Sequence, residues 1–187
     1  MRNDSPASSV SRGDPLGPDV VSPAIHVRLA EAADADAIVR LELEVQEWHV
    51  AGRPDLFKPE GSDTAAEIIT RIATPGQFYW IATLGDAVAG YAYARVFEEP
   101  ESRWRRSSRM LVLDQMGVAE RYRRLGVGRR LWNEVREVAV AERVERVVLN
   151  VWSFNTTARQ FYERIGFASF HERMALELEP GGGNATR

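Results

Sequence analysis

Between positions 121 and 130 the chain reads Arg121-Tyr122-Arg123-Arg124-Leu125-Gly126-Val127-Gly128-Arg129-Arg130. Two glycines without side chains leave the backbone open, so several N–H groups can converge on one anion. Five arginines around them supply opposing charge, and arginine meets phosphate oxygens through paired N–H donors. The segment follows an apolar run ending Met116-Gly117-Val118 and precedes a helical pattern, so a helix dipole adds to the attraction. A pyrophosphate suits this nest, and a separate 3′-phosphate would give the outer arginines a second target. The same residues are open to two other readings, an ordinary connecting loop or an arginine patch for DNA. A nucleotide P-loop is disfavoured because no Gly-Lys-Ser/Thr follows, and a dinucleotide fingerprint because Leu131 stands at its third glycine position.

Downstream lies Asn155-Thr156-Thr157-Ala158-Arg159-Gln160-Phe161-Tyr162-Glu163-Arg164-Ile165-Gly166-Phe167. Ala158, Phe161, Tyr162 and Ile165 recur at i, i+3, i+4 and i+7, which predicts a helix with one apolar face. Asn155 stands where an N-cap belongs, and Gly166 where a left-handed C-terminal cap does, with Phe167 available for the accompanying hydrophobic contact. On spacing alone, Tyr162 is a ring that such a helix buries with its hydroxyl satisfied. Asn155-Thr156-Thr157 has the form of a glycosylation acceptor, which means little in a chain without a secretory signal.

These groups need a scaffold. Residues 109–118 and 146–152 read as strands, and the stretch from the glycine loop to about 143 as a helix whose Leu131, Val135 and Val138 form one stripe. That is a βαβ unit with the glycine loop at its crossover, and Val147, Val148 and Leu149 are apolar enough for a sheet interior. Upstream, 25–29 alternates as a first strand and Asp34 caps a helix carrying Ile38, Leu41, Val45 and Trp48. Gly52-Arg53-Pro54 stops it. Ser62 or Asp63 is expected to cap a second helix, with Ile68, Ile69 and Ile72 on one face and Pro75-Gly76 at its end. Strands 78–84 and 88–97 flank Gly85-Asp86 as an antiparallel hairpin. The charged segment 98–108 reads as a loop, and Met174, Leu176 and Leu178 alternate as a closing strand.

A chain of 187 residues with 44% hydrophobic content suits a single core. The expected organisation is a disordered tail over 1–24, a domain over 25–179 and a second tail over 180–187. A formal net charge of -3 gives no general electrostatic reason for binding nucleic acid or an anionic membrane, so neither is an expected partner. Cysteine is absent, which removes disulfides, thiolate metal sites and an acyl-cysteine intermediate together. No grouping of His, Asp or Glu has metal-ligand spacing, and no metal is expected. Without a signal-peptide core, or any window near the roughly 18 apolar residues of a bilayer span, a cytoplasmic protein is expected.

Read together, Arg123-Arg124-Leu125-Gly126-Val127-Gly128 and the segment 155–167 resemble two signatures of the GNAT superfamily of acetyl-CoA-dependent N-acetyltransferases. The first fits that family's Arg/Gln-x-x-Gly-x-Gly/Ala loop after a strand, the second its Asn-x-x-Ala-x-x-Phe-Tyr-x-x-x-Gly-Phe segment. The resemblance spans residues 25–178, with its weight after Arg109. It implies an α/β fold of the α+β type, a mixed, mainly antiparallel sheet of about six to seven strands flanked by helices. In such proteins the fourth and fifth strands, here 109–118 and 146–152, splay apart to admit the pantetheine arm.

The resemblance further implies that Met116, Gly117, Val118, Arg123, Arg124, Leu125, Gly126, Val127, Gly128 and Arg129 hold acetyl-CoA. Asn155 would hydrogen-bond the pantetheine arm while also capping its helix, and Tyr162 would be the general acid. Asp114 stands where the superfamily often has an acidic residue and is the first candidate for the base. Gln115 should face the other way by strand alternation. His49 and Arg53 belong to a segment that in the family lies over the acceptor, although a histidine at a helix end is otherwise a surface or capping residue. Glu98, Glu99 and Glu101 read as a solvated charge run.

An alkyl amine with a pKa of about 10.4 must lose a proton before attacking a thioester, and the departing thiolate must gain one. The resemblance implies direct transfer to a primary amine of a small molecule or peptide in a ternary complex, and a ping-pong route lacks an obvious nucleophile. The alternative is an acyl-CoA sensor that binds donor and transfers nothing. Homodimers are common among similar proteins, and one is a candidate assembly here.

Overall fold

The computed structural model describes residues 24–178. The expected tails lie outside the described residues, apart from Ala24. In chain order the elements are β1 (Ile25–Leu29), α1 (Ala35–Gly52), α2 (Ala65–Ile72), β2 (Gln77–Leu84), β3 (Ala87–Glu99), β4 (Ser108–Val118), α3 (Val127–Ala141), β5 (Arg146–Leu149) and α4 (Thr156–Arg164). One sheet runs in the order β1-β2-β3-β4-β5. Its neighbours are antiparallel except β4 and β5, the parallel pair that α3 connects.

Strand alternation gives this sheet two apolar faces, and each is covered. On one side Ile38 and Leu41 of α1 and Ile68 of α2 pack against Tyr79, Ile81, Tyr91 and Tyr93. On the other, Leu131 and Val135 of α3 meet Trp80, Ala92, Ala94, Leu111 and Leu113. Burying each large apolar side chain contributes about 1.5–3 kcal/mol, so the two layers hold the sheet rigid between them.

A bulge interrupts the β3–β4 ladder. Tyr93 stands opposite Gln115 and Ala94 opposite Leu113, which leaves Asp114 as the extra residue. Parity changes there: Leu111 and Leu113 face α3 before it, and Met116 and Val118 after it. Gln115 consequently lies on the α1 side, where its Oε1 accepts the Tyr91 hydroxyl at 3.1 Å. Asp114 shares that side and accepts from Arg95 Nε at 2.7 Å. The expected opposition of Asp114 and Gln115 therefore fails, because one inserted residue breaks a period of two.

Other boundaries also moved. Thr64, not Ser62 or Asp63, caps α2: its hydroxyl accepts from the Glu67 N–H while the Glu67 carboxylate takes the Thr64 N–H. Asp63 is held instead by the Arg71 guanidinium. Among the described residues the sheet has five strands rather than six to seven. β5 stops at Leu149, where its partner β4 reaches the bulge. Met174, Leu176 and Leu178 lie in irregular chain with their side chains exposed. Alternation marks a segment able to form a strand, but a strand exists only with a hydrogen-bonded neighbour.

Candidate active site

β4 and β5 pair only from Met110 and Arg146 to Leu113 and Leu149. Past that point β4 continues to Val118 with β3 as its one partner among the described residues, and the chain after β5 leaves the sheet through Asn150 to Asn155. The expected splaying is thus present, and it begins at the bulged Asp114, whose local kink and added twist bend the strand. Between the parted chains lies a cavity of about 390 Å³. Leu113, Asp114, Gln115 and Met116 form its β4 wall, α4 contributes Asn155, Ala158 and Tyr162, and α1 closes it with Glu42, Val45 and His49.

Gly117 follows in β4 and is required there by close approach. A Cβ on it would stand 2.6 Å from Tyr91 Cε1 and 2.8 Å from Val45 Cγ2. Beyond Val118 the chain makes a short turn and reaches α3 with Gly126 as N-cap at φ 96. That conformation is left-handed and favours glycine, while the space around it is nearly open, with only Ile25 Cδ1 at 3.7 Å. Arg130 N–H bonds back to the Gly126 carbonyl at 3.1 Å, so the amides ahead of it have no acceptor within the helix. Arg124, Leu125 and Arg129 are exposed around this helix start. Arg123 is half-buried and its Nε donates to the Val118 carbonyl at 3.2 Å, tying the loop to the end of β4. The Val127 side chain enters the core, so only its backbone remains for a ligand.

α4 presents Asn155, Ala158 and Tyr162 to the cavity at helical spacing. Its other face places the Phe161 ring 3.5 Å from where a Gly128 Cβ would be, which joins the phenol-bearing helix to the start of α3. Asn155 Oδ1 accepts the Ala158 N–H at 3.0 Å, realising the N-cap and leaving its amide nitrogen available. Tyr162 is packed edge-on by Phe161 and Phe167. Burial pushes its phenol up to about 12, so it holds its proton throughout the neutral range.

The opposite wall of the cavity is built by α1, and the segment after it packs alongside. His49 stacks on Phe57 at 4.9 Å, and Phe57 meets Trp152 edge-on at 5.2 Å, so an aromatic cluster bridges α1 to the chain after β5. Burial lowers the His49 imidazole below its ordinary value, keeping it neutral. Arg53 does not join the cavity lining: its guanidinium grips Asp55 through bonds of 2.8 and 2.6 Å and lies 3.5 Å from Glu177. Asp114 has a side chain 27% exposed. Burial raises its carboxyl, while the Arg95 charge and hydrogen bond pull it down.

The sequence reading missed Glu42. Only 5% exposed, it is the buried charged residue among the described residues. Its Oε2 accepts the Asp63 N–H at 3.0 Å, and its Oε1 is buried with no partner among the described residues. A signal existed: Glu42 falls four residues after Ile38 and three before Val45, an acid inside the apolar stripe of α1. Burial pushes its carboxyl up to about 7, against the pull of the Asp63 N–H.

A sheet parted between its last two strands, with a helix start primed for anions at the end of one and a protonated phenol on the facing helix, defines an acyltransferase cleft. A sequence model of the Acetyltransferase (GNAT) family matches residues 37–167. The chain belongs to that family. No curated protein matches it, but solved structures share its fold. A variant of the BH1408 protein from Bacillus halodurans is 22% identical, covering 82% of this chain and 99% of its own, with a TM-score of 0.79. The aminoglycoside N-acetyltransferase AAC(6')-Iy, solved with CoA, is 17% identical with coverages of 89% and 100% and a TM-score of 0.65. The aminoglycoside acetyltransferase meta-AAC0020 from an uncultured soil metagenomic sample, solved with sisomicin, is 11% identical, with coverages of 83% and 95% and a TM-score of 0.61.

Proposed function

We propose that the protein transfers the acetyl group of acetyl-CoA to a primary amine of a small molecule or peptide, by direct attack in a ternary complex. The observation that carries this reading is the continuity from the parted β4 edge to the glycine-capped start of α3. A strand edge without a partner offers backbone groups to the amides of a pantetheine arm. The free amides at Gly126, Val127, Gly128 and Arg129 then receive the pyrophosphate, with Arg124 and Arg129 beside it. Met116, Gly117 and Val118 line the arm, Leu125 adds apolar surface at the loop, and Asn155 donates from its amide.

The acceptor enters from the α1 side. One carboxylate on that side, Asp114 or Glu42, takes the ammonium proton. The amine lone pair attacks the thioester carbonyl, and backbone N–H groups near Gly117 and Val118 stabilise the oxyanion. The C–S bond then breaks, and Tyr162 passes its proton to the leaving thiolate and regains one from solvent. His49, already on the cavity wall, touches the acceptor; Arg53 shapes the rim through Asp55. AAC(6')-Iy is an aminoglycoside N-acetyltransferase and meta-AAC0020 an aminoglycoside acetyltransferase, which favours a small-molecule acceptor within the amine class.

Calorimetric titration with acetyl-CoA, followed by CoA release against a panel of amines, tests the reading. Saturable 1:1 binding with amine-dependent release is the expected result. Binding without release from any amine would instead make the protein a sensor of acyl-CoA, and no binding would refute both.

A further inference from the structure

A buried carboxylate with an empty acceptor position is costly unless something occupies it. Glu42 has that position at Oε1, which is sealed from solvent, while the residue itself forms part of the α1 wall of the cleft. The charges around it do not fill the role. Arg71 of α2 is spent on Asp63 and contacts the Tyr79 hydroxyl at 3.3 Å. Glu67 of α2 is folded back onto Thr64. From β3, Tyr91 donates to Gln115 rather than to Glu42. Across the cavity stand Asp114, held by Arg95, and Tyr162, while His49 lies further along α1. The wall around Glu42 is therefore acidic and lacks a free cation among the described residues.

We propose that the Glu42 carboxylate, part of the cleft wall, seats the acceptor's ammonium and takes its proton, so that the acceptor is a primary alkylamine bound as its cation. The inference rests on reading the cleft as an N-acetyltransferase site. An ammonium has three N–H donors and no acceptor, which complements an oxygen with nothing bonded to it. One N–H bond transfers its proton to the Glu42 carboxylate, and the freed lone pair forms the new N–C bond as the carbonyl carbon is attacked. Glu42 becomes a neutral acid and returns the proton to solvent after the C–S bond has broken. Asp114, already paired with Arg95, keeps the pocket negative but has less freedom to accept.

The experiment compares the wild type with Glu42→Gln, Glu42→Asp and Asp114→Asn. Calorimetry with acetyl-CoA comes first, and equal binding in all four shows an intact donor site. Butylamine turnover is then followed from pH 6 to 9.5. The expected result is an acidic limb near pH 7 in the wild-type kcat/KM. Glu42→Gln loses at least about 100-fold and the limb with it, Glu42→Asp recovers part of the rate, and Asp114→Asn keeps the limb. A Glu42→Gln enzyme with wild-type kcat and an unchanged limb overturns the proposal. A readout without turnover separates the two readings: the side-chain carboxyl carbon resonance of Glu42, assigned by its loss in Glu42→Gln, should titrate near neutral pH and shift on adding butylammonium. Ordinary acidic titration with no shift overturns the Glu42 role even where acetyl-CoA binds. Failure of acetyl-CoA binding in the wild type, with the resonance behaving as expected, sinks the donor reading and supports Glu42 as an ammonium site.

Discussion

The two sides of the cleft are built by different means. The proposed donor side comes from one continuous stretch, β4 to α4, in which most of the residues assigned to it owe their place to a local rule: an αL glycine, a helix start, an N-cap, a helical face. The acceptor side joins α1, the chain before α2 and the bulged middle of β4, and its charges are set by what packs across these elements. Local construction makes the donor side readable and modular. Long-range construction makes the acceptor side a property of the whole fold, and substitutions there should act on pH dependence and acceptor terms together.

The sharpest break in that comparison is Tyr162→Phe. Removing the phenol should lower kcat by about 100- to 1000-fold while the acetyl-CoA dissociation constant stays within about twofold, because the ring packing on Phe161 and Phe167 is kept. Stopped turnover with intact binding is checked by steady-state rates beside calorimetry. Equal turnover would remove Tyr162 as the acid.

Gly126→Val should come next. A β-branched residue at φ 96 is strained by about 1–2 kcal/mol or more, so the helix start shifts and donor affinity falls by roughly tenfold or more. The acceptor KM should hold at saturating donor. A loss confined to the acceptor term would mean the division of the cleft is drawn in the wrong place.

A smaller effect appears in stability. Glu42 is raised in the folded protein from an ordinary 4.5 to about 7, so folding favours its protonated form. That preference is fully present below pH 4.5 and is lost as pH rises toward 7. Glu42→Gln, which carries no charge to bury, should therefore gain stability over the wild type by roughly 1–3 kcal/mol at pH 8, with the gap closing below pH 4.5. Chemical denaturation at the two pH values measures it. The smallest effect belongs to the exposed Arg129: Arg129→Ala should weaken acetyl-CoA binding by about three- to tenfold at low salt, and less at high salt, as screening predicts.

Much of the scaffold was legible because periodicity is a local property. β1 falls on the predicted 25–29, the hairpin of β2 and β3 turns at Gly85-Asp86, and α3 and α4 begin where the glycine loop and Asn155 say they should. The misses share a cause. Asp114 and Gln115 were placed on opposite faces because alternation was extended through a bulge, and a bulge is decided by how two strands register, not by either strand's composition. Residues 174–178 have a strand's pattern but no neighbouring strand among the described residues, and Thr64 won the cap of α2 because Asp63 had already been taken by Arg71.

By itself, the order of residues from Val118 to Phe167 determined a glycine-capped helix start, the helix that follows it and a phenol one helix later, since backbone conformation and helical spacing need no distant partner. Only the folded chain decided which carboxylate is paired with an arginine and which is buried in the cleft wall with an oxygen that has no partner among the described residues. Desolvation and pairing depend on atoms far apart in sequence, and so Glu42 became visible only once α1 had been laid across the sheet.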